Sequence, residues 1–484
     1  MKRIILIFSC LLVAFALRAE GLKLPHFMGS NMVLQQNTDA NIWGWADAGS
    51  RVKVSVGWSK TKYTATAGDD GFWKVAVATP AASFTPYTVT ISSGKDKISL
   101  DNVLIGEVWL CSGQSNMEMP MSGWNFQPIE EGAEEIRESN HYPFVRMIHL
   151  ERNESVDLKD DCNGTWRCAG SEFTPGFSAT AYFFGKHLAQ ELDIPVGLIV
   201  TCWGGTMIEC WMSRDALKSV GETDESIDAS IAPREGGWAG NRATVLYNAM
   251  LYPLRHYTVN GFIWYQGCSN VGKVFVQDYG KYQAAMVTQW RELFGRGDIP
   301  FYYVQIAPHP YASSGDSGLA PQLRERQRIA ATLVPNSAMA GTMDLVYEFE
   351  KGIIHPRQKK PVGERLANLA LENWYGFKGY GSACPEFVKA SFDGPNAIVY
   401  LKNCGGGIHS DKGWEFKGVT GFEVAGEDKV WYPATITGTD GSSIGCTSAE
   451  VPEPKYVRYL WHDFAIGHIW NSYRLPLLPF STEQ

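Results

Sequence analysis

Residues 108–121 read VWLCSGQSNMEMPM. Val108, Trp109, Leu110 and Cys111 carry no polar alternation, which is the pattern of a parallel strand covered on both faces rather than of a strand with one wet side. Gly113 lets the chain turn sharply where that run ends, and in open α/β sheets ligands sit in the crevice beyond the carboxyl ends of the strands. Ser115 stands at the turn, as a candidate nucleophile. Serines also fill turns and helix N-caps for structural reasons, so the stretch by itself fixes a strand and a turn but no chemistry.

The surroundings support an α/β reading. Between residues 101 and 375, apolar runs such as VGLIV, GFIWYQ and FYYVQIA alternate with helical patterns such as ATAYFFGKHLAQEL, DYGKYQAAMVTQWRELF and PVGERLANLALENW. This alternation predicts a parallel sheet flanked by helices. Residues 20–100 run instead in short period-2 segments, RVKVSV, WKVAVAT and YTVTIS, separated by turn residues, and predict an N-terminal β domain. Short strands return over residues 376–484, in AIVYLKN and KYVRYLWHD, and predict a C-terminal β domain.

Lys2 and Arg3, the apolar run Ile4–Leu17 and then Arg18-Ala19 have the layout of a signal peptide spanning residues 1–19, so a periplasmic or secreted protein is expected. The run is shorter than the roughly 20 residues of a spanning helix, and no stable membrane insertion is expected. Loss of Lys2, Arg3 and Arg18 with the leader takes the formal charge from −8 to −11. An acidic surface disfavours nucleic-acid binding, which depends on Lys and Arg at phosphates. The 17 Trp and 21 Tyr suit sugar faces, although most such rings belong to cores. Of ten cysteines, Cys162 and Cys168 in CNGTWRC are the best disulfide candidates, and no Cys or His spacing suggests a metal. No cofactor is expected, and the sequence leaves the oligomeric state open.

A serine nucleophile needs a base and donors for the oxyanion it creates. His355, in GIIHPRQKKPVGERL, sits just ahead of a helix pattern where a base can reach back over the sheet. Gly204 and Gly205 follow the VGLIV strand, and Gln266 and Asn270 in WYQGCSN follow another buried run. Each cluster has an ordinary structural reading as turn or cap, but all lie at strand ends of one α/β segment.

The set GQSN, a glycine, WYQG-xx-N and IHP resembles the SGNH hydrolases, in the branch of sialate O-acetylesterases and related carbohydrate acetyl esterases. MVLQQ, NIWGWADAG, LYNAMLYPL, YLWHDF and LPLLPF extend the likeness over nearly the whole chain. The resemblance implies an SGNH-type α/β fold, Ser115 as nucleophile and His355 as base. It also implies an oxyanion hole from the Ser115 N–H, a glycine of the 204–205 pair and the amide of Asn270 or Gln266. Two positions depart from the family's pattern: Gly352 stands three residues before the histidine where many members have aspartate, and Cys268 stands where relatives often have an acid. Asp344, closing the run AMAGTMD, is the first choice to orient His355, with Glu348 and Glu350 or a bare Ser–His dyad as alternatives. Cys268 reads as a packed small residue. The implied activity is removal of O-acetyl groups from sialic acids; acetylated xylan or another plant polysaccharide, or a non-catalytic carbohydrate-binding protein, are the competing readings.

Overall fold

The computed structural model describes residues 21–232, 241–273, 276–312 and 314–483. The expected signal peptide lies outside the described residues.

One 18-residue strand organises the molecule. Strand β1, Asp96–Gly113, begins with alternating exposed and half-buried side chains and ends in eleven consecutive buried residues. Its first part pairs antiparallel with Ser83–Ser93, in a sheet that continues through Arg51–Val56 to Lys62–Thr66. RVKVSV there alternates strictly between solvent and core, as period-2 patterning requires. Asp39–Trp45 and Phe72–Ala78 form a separate two-stranded ribbon. The expected boundary at residue 100 therefore falls inside β1, which leaves the half-exposed antiparallel sheet and enters a buried parallel one without a break.

That second sheet contains β2 (Val145–His149), β3 (Val196–Cys202), β4 (Gly261–Tyr265), β5 (Phe301–Val304) and β6 (Ser337–Ala340). The spatial order is β6-β5-β4-β1-β3-β2, all parallel, with Trp166–Cys168 added antiparallel at the β2 edge. Helices α1 (Ala179–Leu192) and α4 (Lys359–Asn373) cover one face; α2 (Tyr279–Phe294) and α3 (Leu319–Leu333) cover the other. Trp109 and Cys111 point into the first layer and Val108 and Leu110 into the second, so the uninterrupted apolar run reflects burial on both sides. Beyond α4, two four-stranded antiparallel sheets enclose a separate core around Val399, Phe422, Ile444 and Tyr459.

Cys162 and Cys168 are not joined; both thiols are free. Cys162 is buried in the core, whereas the extended Trp166–Cys168 segment carries Cys168 onto the sheet edge, 4.0 Å from Asn102 Nδ2. No helix among the described residues is long and apolar enough to cross a membrane.

Candidate active site

Register brings the site together. Gly113, the last residue of β1, lies opposite Cys202 at the end of β3 and opposite Tyr265 at the end of β4. Three chains thus leave the sheet at one level, and the order of strands reverses about β1, where an open α/β sheet forms its crevice. Gly113 has φ of 139°, and a side chain there would come within 2.3 Å of the Tyr265 carbonyl oxygen. Only glycine allows this approach. Gln114 then donates its N–H to the same carbonyl at 3.0 Å, and its side-chain oxygen accepts from Gly267 N at 3.1 Å. A single helical turn, Ser115–Glu118, follows.

The Ser115 hydroxyl lies 2.8 Å from His355 Nε2. On the other side of the ring, Nδ1–H donates to Gln127 Oε1 at 2.7 Å, which leaves the Nε2 lone pair facing the serine. The Trp124 ring meets the imidazole edge-on at 4.8 Å between centroids. Trp124 and Gln127 exchange backbone hydrogen bonds across a tight turn of 3.0 and 2.9 Å that also places Phe126 at φ 62°. Burial pushes the imidazole down to about 4, assisted by the positive charge of Lys359 and by His309. His355 is therefore neutral, and able to accept a proton, well below neutral pH.

Asp344 does not orient His355. Its carboxylate is held by Arg365 of α4 at 2.8 and 2.7 Å and by Trp470 Nε1 at 2.8 Å, so it ties the helix layer to the C-terminal sheets. The position at a strand's carboxyl end is as expected, but the buried guanidinium captures it. Glu348 is exposed. Glu350 is buried and accepts from Arg357 N and Nε at 3.1 Å each and from Tyr347 N at 3.1 Å. It folds the 347–357 loop back on itself and so presents His355 without touching it.

The glycine pair lies beside the nucleophile: a side chain on Gly204 would come within 3.0 Å of Ser115 Cβ. Gly204 N–H donates to Glu118 Oε2 at 2.8 Å, and Arg152 holds the other oxygen of that carboxylate at 2.7 Å. Among the described residues, the N–H groups of Ser115 and Gly205 have no hydrogen-bond acceptor. The two candidate amides differ. Gln266 spends both amide hydrogens, on Thr206 O at 3.0 Å and Asn270 Oδ1 at 2.7 Å, and accepts from the Tyr279 hydroxyl at 2.7 Å. It has no donor left for an oxyanion. Asn270 gives one hydrogen to Glu209 Oε2 at 3.0 Å and among the described residues has no acceptor for the other, while its oxygen accepts from Ile208 N and Gln266. Gln266 thus fixes Asn270 and the 203–206 loop instead of facing the nucleophile. Cys268 is buried and receives the Tyr311 hydroxyl at 3.2 Å, and burial pushes its thiol up, which makes it a packing residue.

Nothing in the sequence marks Gln127. It sits in the irregular segment WNFQP, where neither periodicity nor a strand end marks it, 228 residues from the histidine it holds.

A sequence profile described as carbohydrate esterase, sialic acid-specific acetylesterase, matches residues 105–372. The sialate O-acetylesterase of Homo sapiens is 33% identical over 414 residues, covering 78% of this chain and 76% of that protein. The sialate O-acetylesterase of Pongo abelii is 31% identical over 413 residues, with the same coverage. Among solved structures, a carbohydrate acetylesterase from Xanthomonas citri superposes with a TM-score of 0.84 at 31% identity, over 95% of this chain and 99% of that one.

Proposed function

Because the chain belongs to the sialic acid-specific acetylesterase family of carbohydrate esterases, we propose that it removes O-acetyl groups from sialic acids or related acetylated sugars with Ser115 as the nucleophile. The observation that carries this reading is the 2.8 Å contact between the Ser115 hydroxyl and a His355 ring whose tautomer Gln127 fixes.

In the first half-reaction Ser115 Oγ attacks the acetyl carbonyl carbon as its proton passes to His355 Nε2. The carbonyl oxygen gains the negative charge, and the donors proposed for it are the N–H groups of Ser115 and Gly205 and the second amide hydrogen of Asn270. Collapse breaks the bond to the sugar oxygen, which takes the proton from His355 and departs as an alcohol. Water then attacks the acetyl-serine with His355 again as base, and acetate leaves as Ser115 recovers its proton. Gln127 differs from the aspartate of a Ser–His–Asp triad in being neutral. It orients the ring and fixes the tautomer but adds no charge to stabilise the imidazolium.

Export to the periplasm or secretion is part of the same proposal, supported by the charged, apolar and small-residue order of residues 2–19. Release of acetate from a panel of O-acetylated sialic acids and from acetylated xylan tests the function and ranks the acceptors. Turnover of a sialic acid ester supports the reading; binding of the sugars without acetate release from any of them contradicts it.

A further inference from the structure

The far side of the nucleophile turn holds a buried cation that the mechanism above does not use. Lys359, the first residue of α4, is 1% exposed. Its ammonium donates to Asn116 Oδ1 at 2.6 Å and lies 5.7 Å from the centre of the Tyr265 ring. Among the described residues it makes no ion pair. A lysine taken out of water without a carboxylate in contact is costly, and such an arrangement needs a reason.

Asn116 supplies the connection. It follows the nucleophile directly, it is fully buried, and its Nδ2 donates to the carbonyl of Ile354, the residue before the base, at 3.0 Å. Its own carbonyl accepts from the Thr180 hydroxyl at 3.0 Å. One buried amide therefore joins the segment carrying Ser115 to the segment carrying His355, with Lys359 holding the amide's oxygen.

The groups facing Lys359 are Asn116, the Tyr265 ring, the Cys268 thiol, the Glu350 carboxylate and His355. Burial brings its ammonium down to about 7, opposed by Cys268 and Glu350. His355 is faced by Ser115, Gln127, the Trp124 ring, Lys359 and His309. Burial and the charge of Lys359 both favour its neutral form, and among the described residues no acid touches it.

We propose that Lys359 is a positioning residue of the esterase centre: through Asn116 it locks the nucleophile turn to the loop that carries the base, and its positive charge biases His355 toward the form that accepts the serine proton. The inference rests on the proposed roles of Ser115 and His355.

The test uses the full chain and the pH dependence of kcat/KM for an acetylated chromogenic ester, beside the pH dependence of Ser115 labelling by a fluorophosphonate. Lys359→Met removes the charge and the hydrogen bond; Lys359→Gln removes the charge and can keep a bond to Asn116. In both, the acid limb moves up by roughly one pH unit, the order of effect of one nearby like charge. Asn116→Ala leaves the charge but frees the two segments, and kcat falls by roughly 10- to 100-fold, the scale of a small misplacement of reacting groups, with the acid limb in place. A merely structural lysine predicts lower kcat or thermal stability with an unmoved acid limb in the Lys359 variants, and that result overturns the electrostatic role. Wild-type kcat in Asn116→Ala overturns the clamp, also where the Lys359 variants fail to fold. If the wild-type protein neither turns over the ester nor is labelled, the esterase reading itself has failed; an active, labelled wild type with unmoved limbs in the variants refutes this inference alone.

Discussion

Gln127 Oε1 lies 2.7 Å from His355 Nδ1, on the side of the ring opposite Ser115. A neutral amide thus occupies the place an acid was expected to fill. It does half of an acid's work, because it accepts the Nδ1 hydrogen bond and keeps Nε2 free, but it leaves the basicity of the ring to burial and to the charge of Lys359.

Replacement of Gln127 separates those two halves. Gln127→Ala removes the orienting hydrogen bond, and kcat is expected to fall by roughly 10- to 100-fold, as follows from a loss of about 1–3 kcal/mol. Gln127→Glu keeps an acceptor and adds a charge, so the imidazolium gains a partner and the acid limb of kcat/KM moves to higher pH. Steady-state kinetics from pH 4 to 9 distinguish the two variants; an unchanged profile in both removes Gln127 from the mechanism.

The wild-type profile has its own signature. His355 must be neutral to accept the serine proton, and its affinity for protons is depressed from the usual 6.5 to about 4. Activity should therefore rise as pH increases through about 4 and already be at its plateau at pH 6. An acid limb centred near 6.5 would show that the ring is neither as buried nor as flanked by positive charge as its surroundings indicate.

Asp344→Asn tests the reassignment of the carboxylate. The pair with Arg365 is buried on both sides, with side-chain exposures of 6% and 10%. Loss of the negative charge leaves the guanidinium unpaired and costs about 3 kcal/mol of stability. Thermal melts should show a lowered Tm, while kcat measured well below that temperature stays within a few-fold of wild type. A loss near 10⁴ in kcat with an unchanged melt would return Asp344 to the catalytic centre.

What could be read from the sequence follows from what repeats along a chain. Ser115, the glycine pair and His355 were legible because each borders a strongly apolar or helical run, and parallel strands deliver their carboxyl ends to one place. Asp344 was legible as a strand-end acid, but not its partner: Arg365 lies 21 residues on, and which turn of α4 faces back depends on packing. Gln127 and Lys359 were not legible. An amide in an irregular loop looks like a solvated residue, and so does a lysine at the start of a helix, until tertiary contacts bury them. The shift of texture near residue 101 marks one strand passing between two environments.

In the proposed reaction Ser115 forms the acyl-enzyme. That role is tested most directly by intact-protein mass spectrometry of the wild type and Ser115→Ala after reaction with a fluorophosphonate, read beside acetate release from an O-acetylated sialic acid. A turn serine contributes little to stability, so the variant should melt like the wild type. The wild type should carry a single phosphonyl adduct, mapped to the peptide containing Ser115, and Ser115→Ala should show neither adduct nor acetate release. A folded Ser115→Ala variant that is labelled at the wild-type rate, or that still releases acetate at the wild-type rate, would contradict that role.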